Sequence, residues 1–88
     1  MSNYNKSADF GKQLIFQYIK ERMLEKNISH IALSRIIEVK DSTLRRNFNG
    51  ETEMQLITFL KICGALEIRP YLIPAEDDTN ETQRISFN

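Results

Sequence analysis

Three side chains could make bonds or hold a metal, and number or neighbourhood defeats each. His30 is the only histidine and Cys63 the only cysteine, so neither a Cys/His zinc set nor an internal disulfide can form. Ser29 beside His30 invites a nucleophilic reading. Adjacent helical residues do not face each other, no acid is placed to orient the imidazole, and helix capping accounts for the serine. Gly11, Gly50 and Gly64 stand apart, so no glycine-rich loop cradles a phosphate. No enzyme, metal site or cofactor is expected. What remains is hydrogen-bonding chemistry, concentrated in SHIALSRIIEVKDSTLRRNFNGE, Ser29 to Glu51. Two short helices joined by a tight turn need a small residue inside the first, a β-branched apolar residue in the turn and apolar inner faces. Ser34, Val39 and the set Leu33, Ile37 and Leu44 supply these in order. Such packing leaves the second helix with one free face, suited to the major groove of DNA.

The elements that must position this stretch follow from apolar spacing. Ser7 or Asp9 can cap a first helix running to about Lys26, with Phe10, Leu14, Ile15, Tyr18, Ile19 and Met23 as a broad apolar stripe. Asn27 follows as a tolerable left-handed stop. Ser29 caps a second helix carrying Leu33, Ile36 and Ile37, with small residues at Ala32 and Ser34. A turn at Glu38-Val39-Lys40 leads to a third helix near Asp41 to Phe48, closed by Asn49-Gly50. Thr52 or Glu53 opens a fourth helix whose buried face is expected to hold Leu56, Phe59, Leu60, Cys63 and Leu66. Ile68 to Pro74 then reads as a strand with prolines that confine it to an edge. Such a strand lacks a partner in a helical chain, and the same strand of a second copy would supply one.

Length and charge bound the rest. The 88 residues hold 12 basic and 12 acidic side chains and no Trp, enough for one domain with a modest core. Residues 1–74 carry 11 bases and 8 acids, a net +3, and residues 75–88 carry one base and four acids, a net −3. Charge alone therefore names no partner. Uninterrupted hydrophobic runs such as Leu14-Ile15-Phe16 reach only three residues, far short of a membrane span. The polar start without an apolar signal core, together with one unpaired cysteine, leads us to expect a bacterial-type cytoplasmic protein. The expected divisions are a flexible arm at 1–8, a helix-turn-helix domain at 9–67, a strand at 68–74 and an acidic tail at 75–88.

From Ile15 to Ile68 the chain resembles the XRE family of helix-turn-helix regulators, the lambda-repressor-like or Cro/C1-type domain. The likeness rests on Lys26-Asn27-Ile28-Ser29 before the second helix, Ser42-Thr43-Leu44 in the third and Asn49-Gly50 after it. It continues without a gap through Leu56-x-x-Phe59-Leu60-Lys61-Ile62-x-x-Ala65-Leu66. The resemblance implies an all-α bundle of four to five helices, here with a short C-terminal strand. Departures are Glu38 and Glu67 where the family has Gly, and Asn47 at a usually apolar position. Met23 and Phe48 replace a frequent Arg–Glu pair, a double replacement by hydrophobes that can be neutral or stabilising; the two are expected to touch.

The resemblance also implies roles. Lys40, Asp41, Ser42 and Thr43, then Arg45, Arg46 and Asn49, would face the groove. Arg matches the two acceptors of guanine, Asn matches adenine, and Asp accepts from cytosine. Base reading falls to Asp41, Ser42, Arg45 and Arg46, with helix capping the other use of Asp41 and a solvated helix face the other use of the arginines. His30 stands where the family often has a phosphate-contacting Gln, and an ordinary surface histidine is the plainer use. Lys40 and the backbone near Asn49 would hold phosphate and fix register. The expectation is a homodimeric, sequence-specific regulator on double-stranded DNA. An antitoxin that binds a toxin and represses its own operon is the alternative. A dimerisation module without DNA binding draws on Glu38, Asp41, Glu51 and Glu53 near the same face.

Overall fold

A computed structural model of the chain describes residues 2–74. Four helices account for the regular structure there: α1 (Ser2–Lys26), α2 (His30–Ile37), α3 (Asp41–Phe48) and α4 (Leu56–Leu66). Residues 19–70 form one unit, and residues 2–18 belong with 71–74 to another. The fold is the all-α helix-turn-helix bundle anticipated from the apolar pattern. No described helix is long and apolar enough to cross a membrane.

The unit 19–70 is built round Ile19 and Met23 of α1, Leu33 and Ile37 of α2, Leu44 and Phe48 of α3, and Ile62, Cys63 and Leu66 of α4. Leu33, Leu44, Ile62 and Leu66 retain no solvent exposure. Removing a side chain of this size from water stabilises by about 1.5–3 kcal/mol. Met23 and Phe48 are both in this core, so neither replaced position carries a buried charge.

Four helix ends close in the same way. A left-handed residue follows each helix, directly after α1, α2 and α4 and one position later after α3, where Asn49 is still right-handed. The next N–H reaches back five residues: Ile28 to the Met23 carbonyl at 2.8 Å, Val39 to Ser34 at 3.0 Å, Glu51 to Arg46 at 2.9 Å, Ile68 to Cys63 at 2.8 Å. This is the closure that favours glycine. Only α3 uses one, Gly50 at φ 81°, whereas Asn27 (56°), Glu38 (59°) and Glu67 (56°) carry a Cβ into that region. The two glutamates bend as the sequence requires, at a cost of about 1–2 kcal/mol each. Ile28, Val39 and Ile68 lie half-buried just beyond their turns.

Several details depart from the expected pattern. The first helix begins at Ser2, well before the Ser7 or Asp9 cap, so the stretch taken as an arm is helical from Ser2. Its stripe is only partly used: Ile19 and Met23 are buried, while Phe10, Leu14 and Tyr18 remain exposed. In α2, Ile36 points to solvent and Ser34 takes a buried place. The fourth helix starts at Leu56 with Gln55 as its N-cap, later than the Thr52 or Glu53 start expected, and the Thr52 hydroxyl is used by Asn47 instead. Its buried row is Thr58, Ile62, Cys63 and Leu66, which leaves Leu56 and Leu60 outside the core. Residues 68–74 form no strand in this single chain, where a ladder partner is lacking. The acidic tail, 75–88, lies outside the described residues.

Candidate nucleic-acid interface

The support for α3 is set by α2 and its turn. Ser29 takes extended backbone angles, and its hydroxyl accepts from the Ala32 N–H at 3.1 Å. That satisfies one of the free donors of the first turn and fixes where α2 begins. Ser34 is small and buried, and its hydroxyl donates to the Ile31 carbonyl at 2.7 Å. This disposes of its polar atom inside the core and lets α3 approach closely. Glu38 then turns the chain in a left-handed conformation, and α3 packs on α2, with Leu33, Ile37 and Leu44 all buried.

α3 buries Leu44, Asn47 and Phe48. At 3.6 residues per turn the opposite face presents Ser42, Arg45, Arg46 and Asn49, all exposed. These four of the sequence-predicted residues therefore share one outward surface. Lys40 is the exposed N-cap of α3 and makes no side-chain capping bond. The start of this helix differs in that respect from that of α2. Thr43 is exposed at the edge of the face.

Asp41 does not cap the helix, the use foreseen for it within the chain. The N-cap is Lys40, and Asp41 is the first helical residue. Its Oδ2 accepts from Arg45 Nε at 2.7 Å, an i,i+4 ion pair. Its Oδ1 is buried without a hydrogen-bond partner. The carboxylate thus orients Arg45, whose terminal nitrogens remain free of that bond. At this exposure the pair is worth about 0.3–0.5 kcal/mol, too little for the fold but enough to bias one side chain.

His30 sits on the inner edge of this surface. Its ring meets Phe48 edge-on, with centroids 5.3 Å apart at 85°, and Lys20 Nζ of α1 lies 5.9 Å from the centroid of the Phe48 ring. Nδ1 of His30 is buried without a partner. Burial, then Arg45 and Lys20, hold its pKa below 6.5 against an opposing pull from Asp41. The imidazole is therefore neutral near pH 7. Phe48 is thus both a core residue and the floor on which His30 rests.

Some site-forming residues escaped the sequence argument. Asn47 is buried, and its Nδ2 donates to Thr52 Oγ1 at 2.9 Å. This ties the end of α3 to the loop that follows. The signal was a polar residue on the inner face, three positions after Leu44, which must find a partner. The tie borders a groove of about 350 Å³ whose lining includes Thr43, Arg46, Thr52, Glu53 and Gln55. Arg22 also went unnoticed. Its Nε donates to the Leu66 carbonyl at 2.9 Å, which caps the end of α4. Beside it Lys26 reaches Glu67 at 2.6 Å and lowers that carboxyl's pKa. Burial raises the Cys63 thiol, in keeping with its packed position.

A family model described as the Cro/C1-type HTH DNA-binding domain matches residues 18–71. No curated protein and no solved structure matches the chain. The match covers α2, the left-handed turn, α3 and α4 whole, and over half of the sequence. With a polar outward face on α3 and buried apolar residues on α2, α3 and α4, this chain belongs to the Cro/C1-type helix-turn-helix domains, DNA-binding regulators by type.

Proposed function

We propose that this protein is a transcriptional regulator that binds a palindromic operator as a homodimer and reads sequence with the outward face of α3. The observation that carries the reading is that Ser42, Arg45, Arg46 and Asn49 share one exposed face on a helix buried through Leu44, Asn47 and Phe48. Arg45 and Arg46 would take guanine edges, and Ser42 and Asn49 would hydrogen-bond bases or phosphate. His30, neutral and seated on Phe48, would donate an N–H to a phosphate, with Lys40 and Thr43 beside it. Asp41 acts through Arg45. A monomer with so few phosphate contacts binds weakly at physiological salt. Two linked copies gain effective concentration and require half-sites about one helical turn apart. The test is selection from random duplexes by the full chain, followed at two salt concentrations. A palindromic motif supports the reading. Salt-sensitive binding without a motif reduces it to backbone contact, and no binding rejects it.

A second reading rests on residues 75–88, which carry four acids against one Arg. Such a segment suits a basic protein surface, as in an antitoxin that also represses its own operon. Isolation of the protein in a stable complex with a product of an adjacent gene would support it. A chain that purifies alone from cells expressing both genes would remove it.

A further inference from the structure

The row of apolar side chains that α4 leaves outside the core is the feature that function does not absorb. α4 buries Thr58, Ile62, Cys63 and Leu66, and on its far side Leu56 (71%), Ile57 (57%) and Leu60 (45%) stay exposed. Gly64 continues the row at the same four-residue spacing. A Cβ added to it would meet nothing within 4 Å, and its φ is not in the left-handed region. Neither backbone angle nor neighbouring atoms within the chain call for glycine there, although glycine inside a helix is destabilising relative to alanine.

We infer that this row is the surface through which two copies of the chain pair, α4 against α4 in antiparallel sense about a two-fold axis near Leu60. The inference rests on the homodimeric reading above and gives that dimer its contact. The case for a second copy is that the row is complementary to itself. An isologous contact places residues equidistant from the axis against each other. Leu56 of one copy then meets Gly64 of the other, twice, a large side chain against the position without one. Four-residue rows laid side by side are the geometry of the commonest helix-pair class. Charge is compatible, because the row Leu56, Leu60 and Gly64 holds no ionised group and the chain's formal net charge is zero. Size also fits the role. Three large apolar residues per copy fall short of a standard permanent interface. The pair is thus weak in free solution and is completed on the operator, where both copies are held by DNA.

The test uses the full chain in sedimentation equilibrium at high protein concentration, with thermal unfolding and binding to single and paired half-sites measured in parallel. Gly64→Ala is the diagnostic variant, since its two expected effects have opposite signs. The monomer's Tm should rise by about 4–8 °C through helix propensity, while self-association and binding to the paired site weaken. Leu60→Glu should abolish self-association and leave single half-site affinity unchanged. Gly64→Ala or Leu60→Glu variants that associate as the wild type would overturn the proposal. So would a Leu60→Glu variant that loses Tm without any change in association, which would assign the row to a segment of the same chain. Self-association that depends on the row in a protein that binds no DNA would uphold the interface and reject the operator reading instead.

Discussion

α2 and α3 have the same length, eight residues, and each buries three, yet they are built for different ends. α2 is closed at both ends by its own chain: the Ser29 hydroxyl at the start, Glu38 and the Val39-to-Ser34 bond at the finish. Its outward residues include the exposed Ile31 and Ile36, which offer nothing to a base. α3 starts on Lys40 without a side-chain cap, and its outward residues are Ser, Arg, Arg and Asn. The Ser29 hydroxyl at the start of α2 and the Ser34 hydroxyl within it are both spent on the helix's own backbone. The helix that displays keeps donors unspent and holds one of them, Arg45, with a single weak ion pair. In the proposed reading, the outward face of α3 can therefore be altered with little effect on the core that both helices share.

The sharpest way to break that division is to remove its shared floor. Leu33→Ala and Leu44→Ala each empty a fully buried site, and each should cost about 2–5 kcal/mol in denaturant unfolding. Equal losses from α2 and α3 would show that both inner faces belong to one core. A loss confined to α2 would mean that α3 is attached only loosely.

Changes to the displayed face should move binding and leave unfolding alone. Arg46→Ala and Arg45→Ala should each weaken binding to the selected operator by about 1–3 kcal/mol and relax preference at one position. If Asp41 acts by orienting Arg45, Asp41→Asn should reproduce part of the Arg45 loss and add little to Arg45→Ala in the double variant. Additive losses would make Asp41 an independent contact. The starts of the two helices offer the next test. Ser29→Ala should cost about 1 kcal/mol of stability through the lost cap. Lys40→Ala, which removes no cap, should leave stability unchanged and lower the salt dependence of DNA binding. A stability loss at Lys40 as large as that at Ser29 would erase the distinction between the two helices.

The inner faces were legible from spacing because burial and period 3.6 constrain them together: Leu33, Ile37, Leu44 and Leu66 are where the pattern puts them. The left-handed turn at Glu38 was legible only through the family resemblance, which has glycine at that position. Other features depend on which of two apolar faces wins, and spacing does not decide that. In α4 both Leu56–Leu60 and Thr58–Ile62–Leu66 read as rows at helical spacing, and the row with a threonine is the buried one. The exposed start of α1 is similar, with Phe10, Leu14 and Tyr18 apolar but outside the core. Contacts between residues distant in sequence, such as Arg22 on the Leu66 carbonyl, leave no local signature. For the site, the outward residues followed from helical phase, whereas the pairing of Asp41 with Arg45 required atomic positions.

His30 joins the two regions, belonging to α2 by sequence and to the α3 surface by contact, and pH separates its roles. Its folded pKa is lowered, first by burial, from 6.5. As pH falls below that value the unfolded chain takes up the proton first, so stability present above pH 6.5 is lost as pH falls through the folded pKa. Since the chain has one histidine, His30→Gln should flatten unfolding stability between about pH 7 and pH 5, where unperturbed carboxylates stay ionised. A nearby DNA phosphate acts in the opposite direction by favouring the charged ring. Operator affinity should therefore rise over the same interval in which stability falls. Affinity and stability falling together would keep His30 in the support and remove it from the interface.

The smallest expected effect concerns the turn between the two helices. Glu38 takes φ 59°, where a Cβ is unfavourable and glycine is not. Glu38→Gly should relieve that strain, against an unfolded-state entropy loss of about 0.4–1 kcal/mol. The net change should be a stabilisation of under about 1 kcal/mol, read as a shift in denaturant midpoint with unchanged slope. Operator affinity should change only through removal of one negative charge, so its increase should vanish at high salt. If stability falls instead, the glutamate side chain makes a favourable interaction at the turn that outweighs its strain. A salt-independent change in affinity would show that the turn sets the angle of α3 in the groove, and that support and display are coupled through this one residue.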